Sequence, residues 1–471
     1  MKPYLWDPWQ TAAELPSRTA VVADGEHCTF AELTARADAL GRGLRSAGVQ
    51  DGAVLTTDLP TGPRFFALAL AALRYGYGLL PVAPSLFASS TAARLMTDAR
   101  AVLHVGGTDL GPAAATAALP VPSLTDEALA STANLGPLPL AARAGHLAYA
   151  TSGTTGEPQA VPRARPPRPY RGVAVDHRYA AGLVFGAHVM GNPAYHLGTL
   201  GPALYALQAG STVVVQRTWS ADGFAELVDR HGADSAFLGI DQLVDAVVAD
   251  RSPARRLRVL FHGGSACPPA VKRSAIDLFG PVLHEYYGTS KSTLTQITTP
   301  EWLRHPGSVG RPLPGIRIEI AEDGRPLPPG EPGEICVRLR TADRDSADPE
   351  LLHTGDLGFL DDDGYLFVVG RKTGLQQDSL DTAHLEYQIR MLPGVADVAV
   401  TGDPVPVCYV ETLPGQQERT ARKVVRAAEL LGFPRPTTRI VTQGTLPRTP
   451  SGKIRRAGLD TWWAATGEAT A

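Results

Sequence analysis

Cysteine is scarce in this sequence. Among 471 residues only Cys28, Cys267, Cys336 and Cys408 occur, and no two of them have the spacing of a CxxC metal clip. Neither a clip of that kind nor a disulfide framework is indicated. We therefore expect a reducing, cytoplasmic environment.

A strong charge of one sign is also missing. Lys and Arg number 44 against 47 Asp and Glu, which gives a net charge of -3. Nucleic acids and anionic lipid surfaces attract strongly basic proteins, so we expect neither a nucleic acid nor a membrane as partner. Any partner has to be recognised through local motifs.

Long hydrophobic runs are absent as well. The most apolar stretch, residues 65–80, is interrupted by Arg74, Tyr75 and Gly76 and is short for a bilayer span. It predicts a buried helix that leads to a core strand. Residues 1–7 have no continuous apolar stretch, so we expect no signal peptide. With 44% hydrophobic and 19% charged residues, the composition predicts a soluble globular protein of two or three domains.

Helical periodicity alternates with short β-branched segments in the first part of the chain, which predicts α/β layers. The predicted helices cover residues 30–44, 65–73 and 224–231, and the predicted strands cover 53–55, 211–215 and 258–261. From about residue 315 the pattern changes to alternating segments separated by turns, as at 316–320 and 333–338. This change predicts a β-rich subdomain.

A further change falls at Gly370 and Arg371. Beyond it the sequence predicts helices at 384–391 and 419–431, a strand at 396–401 and a basic segment at 447–456. We therefore expect a domain boundary near residue 371, which divides the chain into residues 1–370 and 371–471.

The most distinctive motif reads Tyr-Ala-Thr-Ser-Gly-Thr-Thr-Gly-Glu-Pro at residues 149–158. Its hydroxyl-bearing and glycine residues are Thr151, Ser152, Gly153, Thr154, Thr155 and Gly156. Flexible backbone N–H groups and neighbouring hydroxyl donors can surround phosphate oxygens, although the Walker A pattern is absent. The segment predicts a phosphate-binding loop, and the alternative is a polar turn between strands.

Further motifs follow this loop. They are Asn-Pro-Ala-Tyr-His-Leu-Gly at 192–198, His-Gly-Gly-Ser-Ala-Cys-Pro-Pro at 262–269, Glu-Tyr-Tyr-Gly-Thr-Ser at 285–290, His-Thr-Gly-Asp-Leu-Gly at 353–358, Gly-Arg at 370–371 and Pro-Arg-Thr-Pro-Ser-Gly-Lys-Ile at 447–454. Together with the loop they resemble the ordered motifs of the adenylate-forming (ANL) superfamily, in particular its fatty-acyl and aryl-CoA ligase branch. The superfamily includes acyl-CoA synthetases, luciferases and the adenylation domains of peptide synthetases.

The resemblance implies an α/β fold with a large N-terminal AMP-binding domain and a small, mobile α+β lid at the C-terminus. The large domain would contain stacked α/β sheets and a β-rich subdomain. ATP and Mg²⁺ are the implied cofactors.

The resemblance also implies site residues. Asp356 would hold the ribose hydroxyls, and Lys453 would be the catalytic lysine of the C-terminal loop. The acid pocket would be lined by His196, Tyr195 and Gly239. Adenine and ribose binding would involve Gly263, Gly264, Ser265, Glu285, Tyr286, Tyr287, Gly288, Thr289, Asp356 and Arg371.

The chemistry of two of these residues agrees with the implied roles. A carboxylate such as Asp356 offers two acceptor oxygens to a ribose diol, the alternative being a helix cap or turn. A lysine on a glycine-flanked loop is a point cation that can reach the α-phosphate of ATP and the attacking oxygen. Taken alone, Lys453 would be a surface lysine and His196 a packed histidine.

Three positions depart from the family pattern. Gln159 occupies the position where the family usually has a lysine after the phosphate loop. Arg163 or Arg165 could supply the missing cation. Lys291 occupies the position of the family's usual magnesium-binding glutamate, so we assign no metal ligand. We expect Lys291 to act in catalysis or to hold a small anion. Residues 372–379 are short and polar where the family has an apolar pantetheine tunnel, which puts transfer to CoA in doubt.

These features predict an ATP-dependent, AMP-forming ligase that activates a small aryl or acyl carboxylate and passes it to CoA, a carrier protein or an amine. One alternative is a diazotising enzyme that activates nitrite and delivers it to an aromatic amine. A second alternative, from another class, is a nucleotide-binding pseudo-enzyme.

Overall fold

The computed structural model describes residues 8–106, 120–131, 138–141, 145–151, 158–162, 186–289, 292–339, 351–371, 378–402, 405–448, 453–456 and 458–466. Contacts divide the chain into two compact units. Unit 1 comprises Met1–Leu238, Pro253–Leu260 and Ser290–Ser292, and unit 2 comprises Gly239–Ser252, Phe261–Thr289 and Thr293–Ala471.

Mainly parallel strands form the sheets of unit 1. Their bounds are β1 Thr19–Ala23, β2 Glu26–Thr29, β3 Val54–Thr57, β4 Gly78–Pro81, β5 Ala101–Gly106, β6 Ser123–Thr125, β7 His146–Ala150, β8 Ala160–Pro162, β9 Ala187–Met190, β10 Thr212–Val215 and β11 Ser235–Gly239. In one sheet β6, β5, β3, β4 and β7 pair in parallel, and β8 pairs antiparallel with β7. In the other, β11, β9, β10 and β1 pair in parallel, and β2 pairs antiparallel with β1.

The helix Pro63–Arg74 packs against strands of both sheets, contacting β1 and β2 in one and β4 and β7 in the other. Every side chain from residue 65 to residue 73 is completely buried. A helix that is apolar all round is stable only when it is covered on every side. Because each fully buried Leu or Phe contributes about 1.5–3 kcal/mol relative to exposure, this helix is a major part of the core of unit 1.

The helix Phe30–Ser46 packs against the helix Pro63–Arg74. The helix Phe30–Ser46 begins at Thr29, whose side chain accepts from the backbone N–H of Glu32 while the Glu32 carboxylate accepts from Thr29 N–H. This reciprocal pair satisfies donors that have no partner inside the helix. Further helical segments are Pro8–Glu14, Thr91–Asp98, Asp126–Ser131, Leu197–Gln208 and Ala221–His231, with a 3-10 turn at Pro84–Ala88.

Antiparallel strands dominate unit 2. Their bounds are β12 Val259–Gly263, which begins in unit 1, then β13 Leu283–Gly288, β14 Thr293–Thr298, β15 Arg311–Pro312, β16 Ile316–Glu322, β17 Arg325–Pro326, β18 Gly333–Leu339, β19 Leu351–Leu360, β20 Leu366–Arg371, β21 Val395–Thr401, β22 Val407–Thr412 and β23 Thr437–Thr442. The strands β17, β16, β18, β19 and β20 form one antiparallel sheet in that order. The strands β21, β22 and β23 form a mixed sheet, in which β21 and β22 pair antiparallel and β22 and β23 pair in parallel.

The C-terminal part of unit 2 has a core of its own. The helix Asp378–Arg390 packs on β21, and the helix Gln417–Leu430 packs on β23. Leu385, Ile389, Val398 and Val410 belong to the buried apolar cluster between these elements. The other helices of unit 2 are Ile240–Val248, Pro269–Phe279, Thr299–Arg304 and Leu459–Thr466.

The structure confirms the predicted helices and strands in both units. The strand predicted at 53–55 is β3, and the helix predicted at 384–391 begins earlier, at Asp378. The predicted β-rich subdomain corresponds to the sheet that contains β16 and β18. No helix among the described residues is long and apolar enough to cross a membrane.

Candidate active site

Asp356 lies in a bulge of β19. Glu334 of β18 faces Leu357, whereas Cys336 faces His353, so one residue of β18 is opposite the three residues 354–356. Gly355 has a φ of +73°, a conformation that glycine adopts without strain. Bulges of this kind redirect a side chain away from the regular alternation of a strand.

Hydroxyl hydrogen bonds hold the bulge. The Thr354 hydroxyl donates to the carbonyl of Ile335 at 2.8 Å and accepts from the backbone N–H of Asp356 at 3.0 Å. One bond involves the backbone N–H of Asp356 itself, and the other involves the residue of β18 opposite the bulge. The Thr354 side chain therefore fixes the backbone position from which the Asp356 side chain extends.

The Asp356 carboxylate is buried between two donors. The Tyr287 hydroxyl donates to Oδ2 at 2.6 Å, and Arg371 Nε lies 2.8 Å from Oδ1. Asp356 and Arg371 are direct partners in the β19–β20 register. Burial, together with the negative charge of Asp356, raises the pKa of Tyr287, so the phenol remains a neutral donor.

Lys453 lies on a short antiparallel turn near this carboxylate. Arg448 and Ile454 form an isolated bridge, and Arg455 N–H donates to the carbonyl of Pro447 at 2.7 Å. Burial lowers the pKa of Lys453; the Arg371 charge lowers it further, and the Asp356 charge opposes both. The ammonium therefore lies within electrostatic range of the Asp356–Arg371 pair.

An arginine on the N-terminal side of Lys453 anchors the turn to strands β21 and β22. Arg448 Nη1 lies 3.0 Å from Asp397 Oδ2, and its Nη2 contacts the buried carboxylate of Glu411. The other oxygen of Glu411 accepts from the backbone N–H of Leu446 at 2.7 Å. We refer to this set as the Arg448 anchor.

A second arginine anchors the C-terminal side. Arg456 Nη1 and Nη2 each lie 2.6 Å from an oxygen of Glu386, in a bidentate pair. Glu386 also contacts Arg390 at 2.6 Å and accepts from Val400 N–H at 3.1 Å. Burial raises the pKa of Glu386, but the charges of Arg390 and Arg456 outweigh it and lower the pKa overall. We refer to this set as the Arg456 anchor.

The predicted adenine-binding residues occupy the ends of β12 and β13. A Cβ atom at Gly263 would lie 2.8 Å from the Tyr286 carbonyl oxygen, so the two backbones approach too closely for a side chain. Gly264, with a φ of +93°, and Ser265 follow as exposed residues. This strand end leaves open backbone beside the partly buried ring of Tyr286.

Glu285 has a partner that the sequence did not reveal. Its carboxylate lies 2.6 Å from Lys272 Nζ, and both side chains are buried. His262 is completely buried with its Nε2 atom 4.0 Å from the same carboxylate, and burial lowers the pKa of His262 well below its usual value. The Glu285 side chain thus points into the core, where its contacts with Lys272 and His262 stabilise the ends of β12 and β13.

The remaining predicted residues of this segment lie at its end. Gly288 is exposed, Thr289 is partly buried, and the β13–β14 register shifts between Tyr287 and Gly288. Lys291 lies outside the described residues.

The base of the phosphate loop is closed by Thr151. Its backbone N–H donates to the Gln159 carbonyl at 2.8 Å, and its hydroxyl accepts from Gln159 N–H at 2.9 Å. These two bonds join the residues on either side of the predicted phosphate loop. The predicted residues Ser152, Gly153, Thr154, Thr155 and Gly156 lie outside the described residues.

The predicted pocket residues Tyr195 and His196 are adjacent in unit 1, with ring centroids 4.6 Å apart. His196 is the N-cap of the helix Leu197–Gln208. A Cβ atom at Gly198 would lie 2.8 Å from Phe237 Cζ, so glycine allows this helix to approach β11. Gly239 belongs to unit 2, where its N–H donates to Gln242 Oε1 at 3.0 Å.

The donor set fits a nucleotide better than it fits magnesium. A buried carboxylate flanked by a phenol and a guanidinium suits a ribose diol, and the open strand end at Gly264 suits a flat base. For magnesium, the sequence has a lysine at position 291 in place of the usual glutamate, so we assign no ligand. Among the described residues, Glu334, Cys336 and His353 form a group that could hold a metal ion, and its soft thiolate is not a magnesium ligand.

Sequence reasoning missed both anchors and Lys272. The basic segment at 447–456 was visible, but its acidic partners Glu386, Asp397 and Glu411 are separated from it in sequence. The isolated glutamate in the apolar strand β22 was the available signal, because a buried carboxylate requires a partner.

Comparison with known proteins agrees with the motifs. A family model described as AMP-binding enzyme matches residues 8–341. The chain is 25% identical over 501 residues to fatty acid–[acyl-carrier-protein] ligase ScoC of Streptomyces coeruleorubidus, with 95% of this chain and 94% of the relative covered.

Solved structures show the same fold. The amide bond synthetase McbA from Marinactinospora thermotolerans superposes with a TM-score of 0.75 at 25% identity, covering 94% of this chain and 96% of that one. The o-succinylbenzoate coenzyme A synthetase from Bacillus subtilis, in complex with ATP and magnesium ion, gives a TM-score of 0.73 at 21% identity, with 97% and 99% covered.

The predicted fold class and the predicted superfamily are thereby confirmed. These relatives support acid activation and give no support to the diazotising or pseudo-enzyme alternatives. The family match over most of the chain, together with the ordered motifs, shows that this protein belongs to the AMP-binding enzymes and is an AMP-forming, acid-activating ligase.

Proposed function

We propose that this ligase uses ATP and Mg²⁺ to activate a small aryl or acyl carboxylate as a mixed anhydride with AMP, with release of pyrophosphate. The observation that carries this proposal is the position of Lys453, whose ammonium lies in the electrostatic field of Asp356 and Arg371 on a turn anchored from both sides.

In the proposed reaction a carboxylate oxygen attacks the α-phosphorus of ATP. A new P–O bond forms to the acid as the P–O bond to pyrophosphate breaks. Negative charge then builds up on the phosphoryl oxygens and the leaving group. A fixed point cation stabilises that charge without reorganisation, and this is the role we assign to Lys453.

The other roles follow from the donors that each residue offers. Asp356 accepts hydrogen bonds from the ribose hydroxyls, while Tyr287 and Arg371 hold its carboxylate. Gly263, Gly264, Ser265 and Tyr286 receive the adenine, with Glu285, Gly288 and Thr289 shaping the strand end. The phosphate loop from Thr151 to Gly156 binds the phosphates.

We assign His196, Tyr195 and Gly239 to the acid pocket, and we assign to Lys291 part of the charge-neutralising role of magnesium. The domains are residues 1–370 and 371–471, with the second acting as a lid. The activated acid is passed to CoA, a carrier protein or an amine. Relatives named as an acyl-carrier-protein ligase and an amide bond synthetase support this range of acceptors.

Pyrophosphate release measured with ATP and a panel of carboxylates tests the proposal. We expect release that depends on the acid, with a small aryl or acyl acid giving the highest rate. A parallel reaction with nitrite and an arylamine is the discriminating control. Pyrophosphate release in the nitrite reaction but with no carboxylate would favour diazotisation. No release with any carboxylate would contradict the proposed activity.

A further inference from the structure

One face of the sheet formed by β18 and β19 brings three metal-ligating side chains together. Cys336 and His353 are direct cross-strand partners, and Glu334 lies two residues before Cys336 on the same strand. Cys336 Sγ lies 3.6 Å from His353 Nδ1, and the same nitrogen lies 3.3 Å from Glu334 Oε1. All of the potential ligand atoms lie within 4.8 Å of one another.

The two separations that meet at His353 Nδ1, 3.6 Å and 3.3 Å, match the edges of a tetrahedral zinc site. With metal–sulfur bonds of about 2.3 Å and metal–nitrogen or metal–oxygen bonds of about 2.0–2.1 Å, neighbouring ligands are separated by roughly 3.3–3.6 Å. Thiolate, imidazole and carboxylate together favour zinc over the harder magnesium and calcium ions. The arrangement leaves a fourth position for water.

Burial of the three residues is graded from the core to the surface. Cys336 is 1% exposed, the Glu334 side chain 16% and the His353 side chain 57%. A metal ion can therefore approach from the solvent side, past His353, and reach a thiol that is shielded from bulk oxidants. Zinc binds the thiolate, a neutral imidazole and a carboxylate, so the proton of the Cys336 thiol is released to the solvent on binding.

The bulge in β19 lies next to this group. With regular pairing from Cys336 and His353, Glu334 would face residue 355, whereas it faces Leu357. Residues 354–356 loop out, and Glu334 and Cys336 lie on either side of the His353 ring nitrogen.

We propose that Glu334, Cys336 and His353 form a zinc-binding site of the Cys–His–carboxylate type. Its ligands enclose the bulge that contains Asp356, so bound zinc braces that segment. The link from the bulge to ATP rests on the proposed function, whereas zinc binding itself does not.

Cobalt titration of the chelator-treated, full-length protein tests the site, because a thiolate bound to Co²⁺ gives a charge-transfer absorption band. We expect stoichiometric binding, the band in wild type, and its displacement by zinc. Cys336→Ser should abolish the band, and His353→Gln should weaken zinc binding by about tenfold or more. Cys408→Ser, which removes another buried thiol of unit 2, is the matched control and should behave as wild type.

Absence of stoichiometric binding in wild type would overturn the proposal, as would a band that persists in Cys336→Ser. If Cys336→Ser fails to fold, the exposed variant His353→Gln decides the matter by zinc calorimetry, and wild-type affinity in that variant refutes the site. All of these measurements omit ATP and acid, so their outcome is independent of ligase activity.

Discussion

The environment of the Lys453 side chain determines the burial and the pKa of its ammonium group. An isolated surface lysine is fully protonated at neutral pH and is mobile. Here the ammonium is partly buried, its pKa is lowered, and its nearest charged groups include the Asp356–Arg371 pair. A desolvated cation of this kind acts more strongly on a developing anion than a cation in water does.

Replacing Lys453 tests its role directly. We expect Lys453→Ala to reduce adenylate formation to background while ATP affinity stays within a few-fold, because the cation acts on charge that develops in the transition state. Single-turnover adenylate formation and equilibrium ATP binding provide the two measurements. Lys423→Ala, on the helix Gln417–Leu430, is the control and should retain wild-type turnover. Normal turnover in Lys453→Ala would refute the assignment.

The pH profile provides a second test at this residue. Because burial lowers the pKa of Lys453, the active ammonium form is lost as pH rises through that lowered value. The adenylation rate should therefore decline on the alkaline side earlier than for an ordinary lysine. In Lys453→Arg the guanidinium stays protonated, so whatever activity remains should lack this decline. An identical alkaline limb in both proteins would assign it to another group.

At the scale of elements, the turn that carries Lys453 is held by paired charges at both ends. The Arg448 anchor and the Arg456 anchor attach it to β21, β22 and the helix Asp378–Arg390. Buried ion pairs contribute little net stability, but they fix geometry when each oxygen and each N–H group is satisfied. We infer that the anchors set the position of the Lys453 ammonium.

Arg456→Lys tests this inference, because lysine keeps the charge but cannot make the bidentate contact with Glu386. A displacement of about 1 Å in a reacting group can cost roughly a hundredfold in rate, so we expect a loss in kcat for adenylation of that order with little change in KM for ATP. The control is Arg426→Lys, whose arginine is largely exposed and contacts Glu429 at 3.5 Å.

The unfolding temperature separates positioning from stability in this experiment. If Arg456→Lys retains the wild-type unfolding temperature and loses kcat, the anchor acts through geometry. If the variant has a lower unfolding temperature and its kcat falls only in proportion to the fraction of unfolded protein, Arg456 contributes to stability alone.

At the scale of the whole molecule, two descriptions of domain organisation differ. The sequence predicts a boundary near residue 371, whereas contacts group residues 371–471 with Gly239–Ser252, Phe261–Thr289 and the sheet that contains β18. The contacts include Gln443 Nε2, which donates to Asp245 Oδ1 at 2.7 Å. A contact grouping describes one conformation, so the boundary stays a prediction.

Independent folding of the C-terminal segment tests the boundary. Its apolar cluster, which includes Leu385, Val398, Val410 and Val424, lies entirely within residues 371–471. About a hundred residues suffice for an autonomous domain. We expect residues 371–471 expressed alone to unfold cooperatively on heating. Val398→Asp in the same fragment is the control that should not fold, and a non-cooperative wild-type fragment would argue against the boundary.

The family, the fold class and the residue types at the site can be read from the amino-acid sequence. This is possible because helical and strand periodicity are local, and because the phosphate loop, Asp356 and Lys453 occur in short motifs. The buried helix Pro63–Arg74 is an example: its uninterrupted apolar residues already required cover on every side.

The pairing of charged side chains, in contrast, becomes apparent only in the folded chain. Arg456 pairs with Glu386 across 70 positions, and Lys272 pairs with Glu285 inside the core. Asp356 in the β19 bulge meets Tyr287, and Glu334 and Cys336 of β18 meet His353 of β19. None of these pairs has a local signature, because strand register and burial select the partners. The sequence thus specified the chemical groups, and folding determined their partners, their pKa values and their positions.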